Sequence, residues 1–159
     1  MIITYKPIGI INTPFRKKEG MPIQPPGAEG IKGTVEIKEE FSEGLQDLER
    51  FSHVILFYHF HKSEGYSLTV IPFLDNEPHG LFTTRAPRRP NGIGMSVVKL
   101  TGIENNILDI ENVDILDGTP LLDIKPYIPD FDVFEVEKTG WYEKHAGKVK
   151  QISSDKRFE

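Results

Sequence analysis

The chain has 159 residues, about one domain's worth, with 19 Lys and Arg against 24 Asp and Glu, a net charge of −5. It has no cysteine, which excludes disulfide frameworks, thiol nucleophiles and cysteine-ligated zinc and fits a reducing compartment. The acidic balance disfavours a protein that coats nucleic acid without specificity, and the longest purely apolar run, residues 54–57, is far too short to span a membrane.

The first residues, MIITYKPIGI, lack the basic, apolar and small-residue succession of a secretory signal, so a soluble cytoplasmic protein is expected. Alternation and β-branched content predict strands over residues 5–11, 33–37, 52–60, 68–71, 80–84, 95–103, 107–115 and 121–124. Asn105-Asn106 separates two of them and suits the left-handed backbone of a tight hairpin. Residues 44–51 read as one short helical insertion. No repeat and no linker divides the chain. Short strands with turn signals at this spacing predict an all-β domain, an antiparallel sandwich or barrel. Residues 138–159 hold six basic and three acidic side chains, which leaves −8 on the remainder. They are expected to form a basic C-terminal tail after a domain of residues 1–137, either solvated or touching phosphates.

Three segments carry candidate chemistry. In GLFTTRAPRRPNGIGM, residues 80–95, three arginines (Arg85, Arg88, Arg89) lie around Pro87 and Pro90. Prolines reduce backbone freedom, so guanidinium groups beside them can be held ready for a carboxylate or phosphate; the alternative is a solvated basic turn. Gly92-Ile93-Gly94 lacks the third glycine and the following helix of a dinucleotide fingerprint, which excludes a Rossmann site. In the second segment His53, His59 and His61 occupy alternate positions, and Asp75, Glu77 and His79 follow, a possible metal-ligand set. Against this, Ile55 and Phe57 share that face, with His53 capping the strand and His59 a core residue. The third segment, NVDILDGTPLLDIKPY, residues 112–127, gathers Asp114, Asp117 and Asp123 near Lys125 and Tyr127 around an Asp117-Gly118 turn.

Taken together, GLFTTRAPRRPNGIGMSVV, the opening IGIINTPF, the loop QPPGAEG, the strand LERFSHVILFYHFH and the segment DILDGTPLLDIKPYIP resemble the TsaA-like, or TrmO-type, tRNA methyltransferases. The resemblance runs collinearly from residue 8 to residue 129. It implies a non-Rossmann β-barrel methyltransferase, all-β with short helical insertions, that uses S-adenosylmethionine near the interface of a homodimer. The implied reaction is N6-methylation of threonylcarbamoyladenosine at position 37, in the tRNA anticodon loop.

By the same resemblance the cofactor positions are Pro25, Pro26, Gly27, Phe60, His61, Arg85, Met95, Glu111, Asn112, Val113 and Asp114. An arginine suits the methionine carboxylate, and an acidic residue suits ribose hydroxyls or the ammonium. His61 and Asp117 are the candidate bases, since a carbamoylated nitrogen must lose its proton. Arg88, Arg89, Asn91, Lys125 and Tyr127 are candidates for the substrate side, and Phe15, Tyr58 and Tyr127 are available as stacking platforms. Two residues depart from the family signature. Gly92 stands where the family has proline, and Ala86 where it has serine. The second C-terminal domain of many bacterial members is not expected in a chain of this length. Rival readings are a metal-dependent barrel enzyme and a family member that binds cofactor or RNA without turnover.

Overall fold

The structure is a computed structural model describing residues 1–158. Its strands are β1 (Gly9–Asn12), β2 (Lys32–Ile37), β3 (His53–His59), β4 (Thr69–Val70), β5 (His79–Gly80), β6 (Ile93–Glu104), β7 (Ile107–Glu111) and β8 (Thr119–Pro126). Six of them close into an antiparallel barrel in the order β1-β2-β7-β6-β3-β8, and β4 pairs with β5 as a separate ribbon. Closure removes sheet edges, so alternate side chains must point inward. On β3 these are Val54, Leu56 and Tyr58, all buried. Ile11, Val35, Val98, Leu108, Ile110 and Leu121 complete the core from the other strands.

The barrel bears out the all-β expectation, and the departures from the predicted elements have local causes. β1 begins at Gly9 rather than residue 5; the residues before Ile8 have no ladder partners, and Gly9 pairs on both sides, with Ile37 and Leu121. Residues 44–51 form no single helix. Two 3-10 turns, Glu39–Leu45 and Leu48–Arg50, flank Asp47, whose φ of 67° interrupts any helical run. Residues 80–84 turn rather than extend, closing with the Thr84 amide on the Leu81 carbonyl. β7 stops at Glu111 because Asn112 is left-handed, at φ 65°. One short α-turn, Pro129–Asp132, follows β8.

The basic C-terminal segment is not a solvated end. Ser153 bridges to Pro22, the Ser154 amide donates to the Met21 carbonyl at 2.7 Å, and an Arg157 guanidinium nitrogen donates to the Pro72 carbonyl at 2.6 Å. Trp141 Nε1 donates to the Thr83 carbonyl at 2.9 Å, and its ring stacks on His79 with centroids 5.1 Å apart. Phe158 is buried against Phe73, Leu81 and Ala86 in a second apolar cluster. The described residues contain no helix long and apolar enough to cross a membrane.

Candidate active site

One end of the barrel gathers the end of β3, the start of β6, the chain after β7 and the start of β8. There a cavity of about 370 Å³ is lined by Tyr58, Phe60, His61, Met95, Asp114 and Thr119, with Gln24 and Arg85 from loops and Ser154, Asp155 and Phe158 from the C-terminal segment. Its volume falls within the range of small-molecule sites.

Asp114 is the chemical centre of this cavity. The left-handed Asn112, whose side-chain carbonyl accepts from the Gly30 amide at 2.9 Å, turns the chain out of β7. Val113 then drops into the barrel core, and Asp114 lines the cavity. Ser96 Oγ donates to Asp114 Oδ1 at 2.6 Å. The single Ser96 proton being used there, the Tyr58 hydroxyl, 3.0 Å from Ser96 Oγ, is the donor in the second link. Burial pushes the Asp114 carboxyl up to about 6, against the opposing effects of the Ser96 hydrogen bond and the Arg85 charge. Burial likewise raises the Tyr58 phenol, with the Asp114 charge adding to it, so the phenol keeps its proton. Arg85 itself is exposed and donates to Gln24 Oε1 at 2.7 Å.

His61 sits across the cavity. Thr119 Oγ1 gives its proton to the Leu116 carbonyl at 2.6 Å, so at 3.3 Å it accepts from His61 Nδ1. That leaves the His61 Nε2 lone pair free. Burial, then the Lys62 charge, lowers the His61 pKa from its ordinary 6.5, so the ring is neutral at physiological pH.

Phe60, His61, Arg85, Met95 and Asp114 thus meet around one cavity. Pro25, Pro26, Asn112 and Tyr127 line an adjoining groove of about 1180 Å³ that shares Gln24, Arg85, Met95 and Phe158 with it. Other candidates are engaged elsewhere. Asp117 accepts from the Thr13 amide at 2.9 Å and pairs with Arg16. Glu111 pairs with Lys99 at 3.2 Å, and Lys125 with Asp123 at 2.8 Å. Arg89 also lines the cavity, but its guanidinium donates to the Thr84 and Ala86 carbonyls at 2.9 and 3.3 Å, holding its own loop. Arg88 donates to the Glu64 carbonyl at 3.3 Å. Asn91 is exposed on the turn into β6, and Gly27 packs beside Val149. Phe15 is half-buried, and Tyr58 is interior, unavailable as a stacking platform.

The histidines do not converge. His53 Nδ1 lies 2.9 Å from Ser52 Oγ, His59 Nδ1 is 3.1 Å from the Gly92 carbonyl, and His79 pairs with Asp75 at 2.8 Å. The alternate face of β3 that His53 and His59 share points away from the core, and His59 is exposed rather than a core residue. Among the described residues no group of three His, Asp or Glu side chains is placed to hold a metal ion, which corrects the metal-ligand reading.

The model of the tRNA-methyltransferase O N-terminal domain matches residues 10–133. The chain belongs to the tRNA-methyltransferase O family. A probable S-adenosyl-L-methionine-binding protein of Pyrococcus abyssi is 55% identical over 158 residues, covering 99% of this chain and 86% of the relative. The tRNA (adenine(37)-N6)-methyltransferase of Mus musculus is 39% identical over 80% of this chain and 31% of its own length. The crystal structure of TrmO from Pseudomonas aeruginosa superposes with a TM-score of 0.75 at 40% identity, covering 89% of this chain and 63% of that one. The chain therefore spans less than two thirds of that solved structure.

Within this tRNA-methyltransferase O fold, the two glycines at the start of β6, Gly92 and Gly94, differ in kind. A β-carbon at Gly92 meets His59 and Phe60 atoms at 3.6 to 3.7 Å, ordinary contact. A β-carbon at Gly94 would overlap the Tyr58 ring, which lies across the strand at that point. Gly92→Ala is therefore expected to leave thermal stability within about 1 kcal/mol of the parent. Gly94→Ala should cost about 1 to 3 kcal/mol by overpacking and displace Tyr58 from Ser96; chemical denaturation of both variants measures the contrast. The sequence reading missed Gln24, Ser96 and the C-terminal residues. It also missed Ser63, a residue of the cavity lining whose hydroxyl is shielded from solvent and has no hydrogen-bond partner among the described residues.

Proposed function

We propose that the protein is an S-adenosylmethionine-dependent tRNA methyltransferase that methylates N6 of threonylcarbamoyladenosine at position 37, acting in the cytoplasm as a homodimer. The observation that carries this reading is the half-buried, desolvated Asp114 carboxylate facing a cofactor-sized cavity beside Arg85. A desolvated carboxylate favours a cationic or hydroxyl-rich ligand, and S-adenosylmethionine offers a sulfonium, an ammonium and a ribose diol. Residues 1–137 form the catalytic domain in this reading. The exposed apolar run of Phe131, Val133, Phe134 and Val136 is the surface a second copy covers.

When bound, the cofactor supplies an electrophilic methyl carbon for in-line displacement. Asp114, fixed by Ser96 and Tyr58, holds the cationic or ribose portion, and Arg85 takes the carboxylate. His61 is the base, with its Nδ1 proton directed to Thr119 and Nε2 open to accept the acceptor's N6 proton.

Calorimetric titration of S-adenosylmethionine, followed by nucleoside mass analysis of incubated tRNA, tests the reading. Saturable binding and an adenosine derivative one methyl group heavier are expected. Binding without a methylated nucleoside would instead identify a non-catalytic member. His61→Asn should retain cofactor affinity and lose turnover by about 100-fold or more. In the parent, the acid limb of the rate profile should fall below the ordinary imidazole value of 6.5.

A further inference from the structure

The C-terminal segment lies wholly beyond the family-matched residues 10–133, yet it supports both loops that bring Gln24 and Arg85 to the cofactor-sized cavity. With the first loop it pairs through Ser154. The Ser154 amide donates to the Met21 carbonyl at 2.7 Å, the Gly20 amide donates to the Ser154 carbonyl at 2.9 Å, and the Ser154 hydroxyl accepts from the Met21 amide at 2.9 Å while donating to the Lys18 carbonyl. Gly27, further along this loop, packs beside Val149. The second loop rests on Phe158, whose buried ring meets Phe73 edge-on with centroids 5.0 Å apart and shares one apolar cluster with Leu81 and Ala86, the residues that bracket Arg85. Gln24 and Arg85, one from each loop, meet at 2.7 Å. We infer that the C-terminal segment braces the cofactor site, with Phe158 a positioning residue that holds Arg85 where the cofactor carboxylate meets it, so that docking of the segment and cofactor binding favour each other.

Arg85 is exposed, and the one side-chain hydrogen bond it makes among the described residues is to Gln24. Where its guanidinium stands is therefore set by the two loops and by whatever fixes them. Ordering a rotamer-rich side chain before the ligand arrives reduces the entropy lost on binding, which is what a brace beneath the loops supplies. The segment is itself fixed at both ends. Arg157 donates to the Pro72 carbonyl at 2.6 Å and pairs with Asp155 at 2.8 Å, while Trp141 is bonded to Thr83 and Lys150 pairs with Glu29 at 3.3 Å. Between these anchors Ser154, Asp155 and Phe158 enter the lining of the cavity. A ligand that binds only when the loops are in place must stabilise the docked segment by as much as docking strengthens its own binding.

The inference rests on the S-adenosylmethionine-dependent reading, and a double-mutant cycle keeps the two apart. S-adenosylmethionine is titrated into the full-length parent, Phe158→Ala, Arg85→Ala and the combined variant, with thermal melting to show that each is folded. Phe158→Ala is expected to bind at least about tenfold more weakly than the parent, and the combined variant within about twofold of Arg85→Ala, because a brace acts only through the residue it holds. Phe158→Leu should recover most of the loss. Equal losses in the two backgrounds, or Phe158→Ala within about twofold of the parent, overturn the brace. Ser154→Ala opens no space in the apolar cluster and carries the test should the Phe158 variants fail to fold. Its affinity is expected to fall by about threefold or more, and an unchanged affinity would overturn the proposal. A parent that binds and obeys the cycle without yielding a methylated nucleoside overturns the enzymatic reading and leaves the brace standing, whereas a parent with no affinity for the cofactor overturns both.

Discussion

Asp114→Asn should stabilise the ligand-free protein at neutral pH while removing its affinity for S-adenosylmethionine. The Asp114 carboxyl sits at about 6 in the folded state against an ordinary 3.8. The native state therefore holds the proton more tightly than the unfolded state does. Stability falls as pH rises from about 4 to about 6, and above that the full cost of the buried charge is present. At 1.36 kcal/mol per unit the cost is roughly 3 kcal/mol, and at about 2 to 4 °C per kcal/mol it amounts to a Tm increase of about 6 °C or more for the neutral asparagine. Asparagine keeps an oxygen for the Ser96 hydroxyl and loses only the charge. Thermal scans between pH 4 and pH 7 should show the parent losing stability over this window and the variant staying level. A variant with the parent's pH profile would remove Asp114 as the titrating group.

The second large effect is expected from Arg85→Ala, which should weaken S-adenosylmethionine binding by about 1.5 to 3 kcal/mol, the worth of a hydrogen bond to a charged group. Arg85 also lowers the Asp114 pKa by its charge. Its removal should therefore move the Asp114 midpoint further upward, and a binding profile over pH would shift with it. Gln24→Ala, which removes only the 2.7 Å tether of the guanidinium, should produce a smaller loss. Calorimetry on the three proteins orders them, and equal affinity for parent and Arg85→Ala would take Arg85 out of the site.

The residues legible in the sequence were those whose chemistry is odd for their surroundings. Arg85 stands out as a cation between prolines in an acidic chain, and Asp114 as a carboxylate among apolar residues at a strand end. Local pattern was blind to direction, however. Alternation marked β3 correctly, yet hydrophobicity alone could not say that Val54, Leu56 and Tyr58 face inward and the histidines outward, because both faces carry apolar side chains. The turn after β7 depends on a single left-handed asparagine, which moves Val113 into the core and leaves only Asp114 of that run in the cavity. The closest misjudgement was the C-terminus. Its charge suggested solvation, whereas its anchoring rests on sparse, long-range groups such as Trp141, Ser154, Arg157 and Phe158, which follow no period. The resemblance supplied what periodicity could not, the closure of the strands into a barrel.

Trp141 is the only tryptophan in the chain. Its indole is stacked on His79 and bonded to the Thr83 carbonyl, so it is in contact with the body only while the C-terminal segment is docked. Intrinsic fluorescence excited in the indole band is consequently a label-free optical probe of that docking, uncontaminated by any other tryptophan.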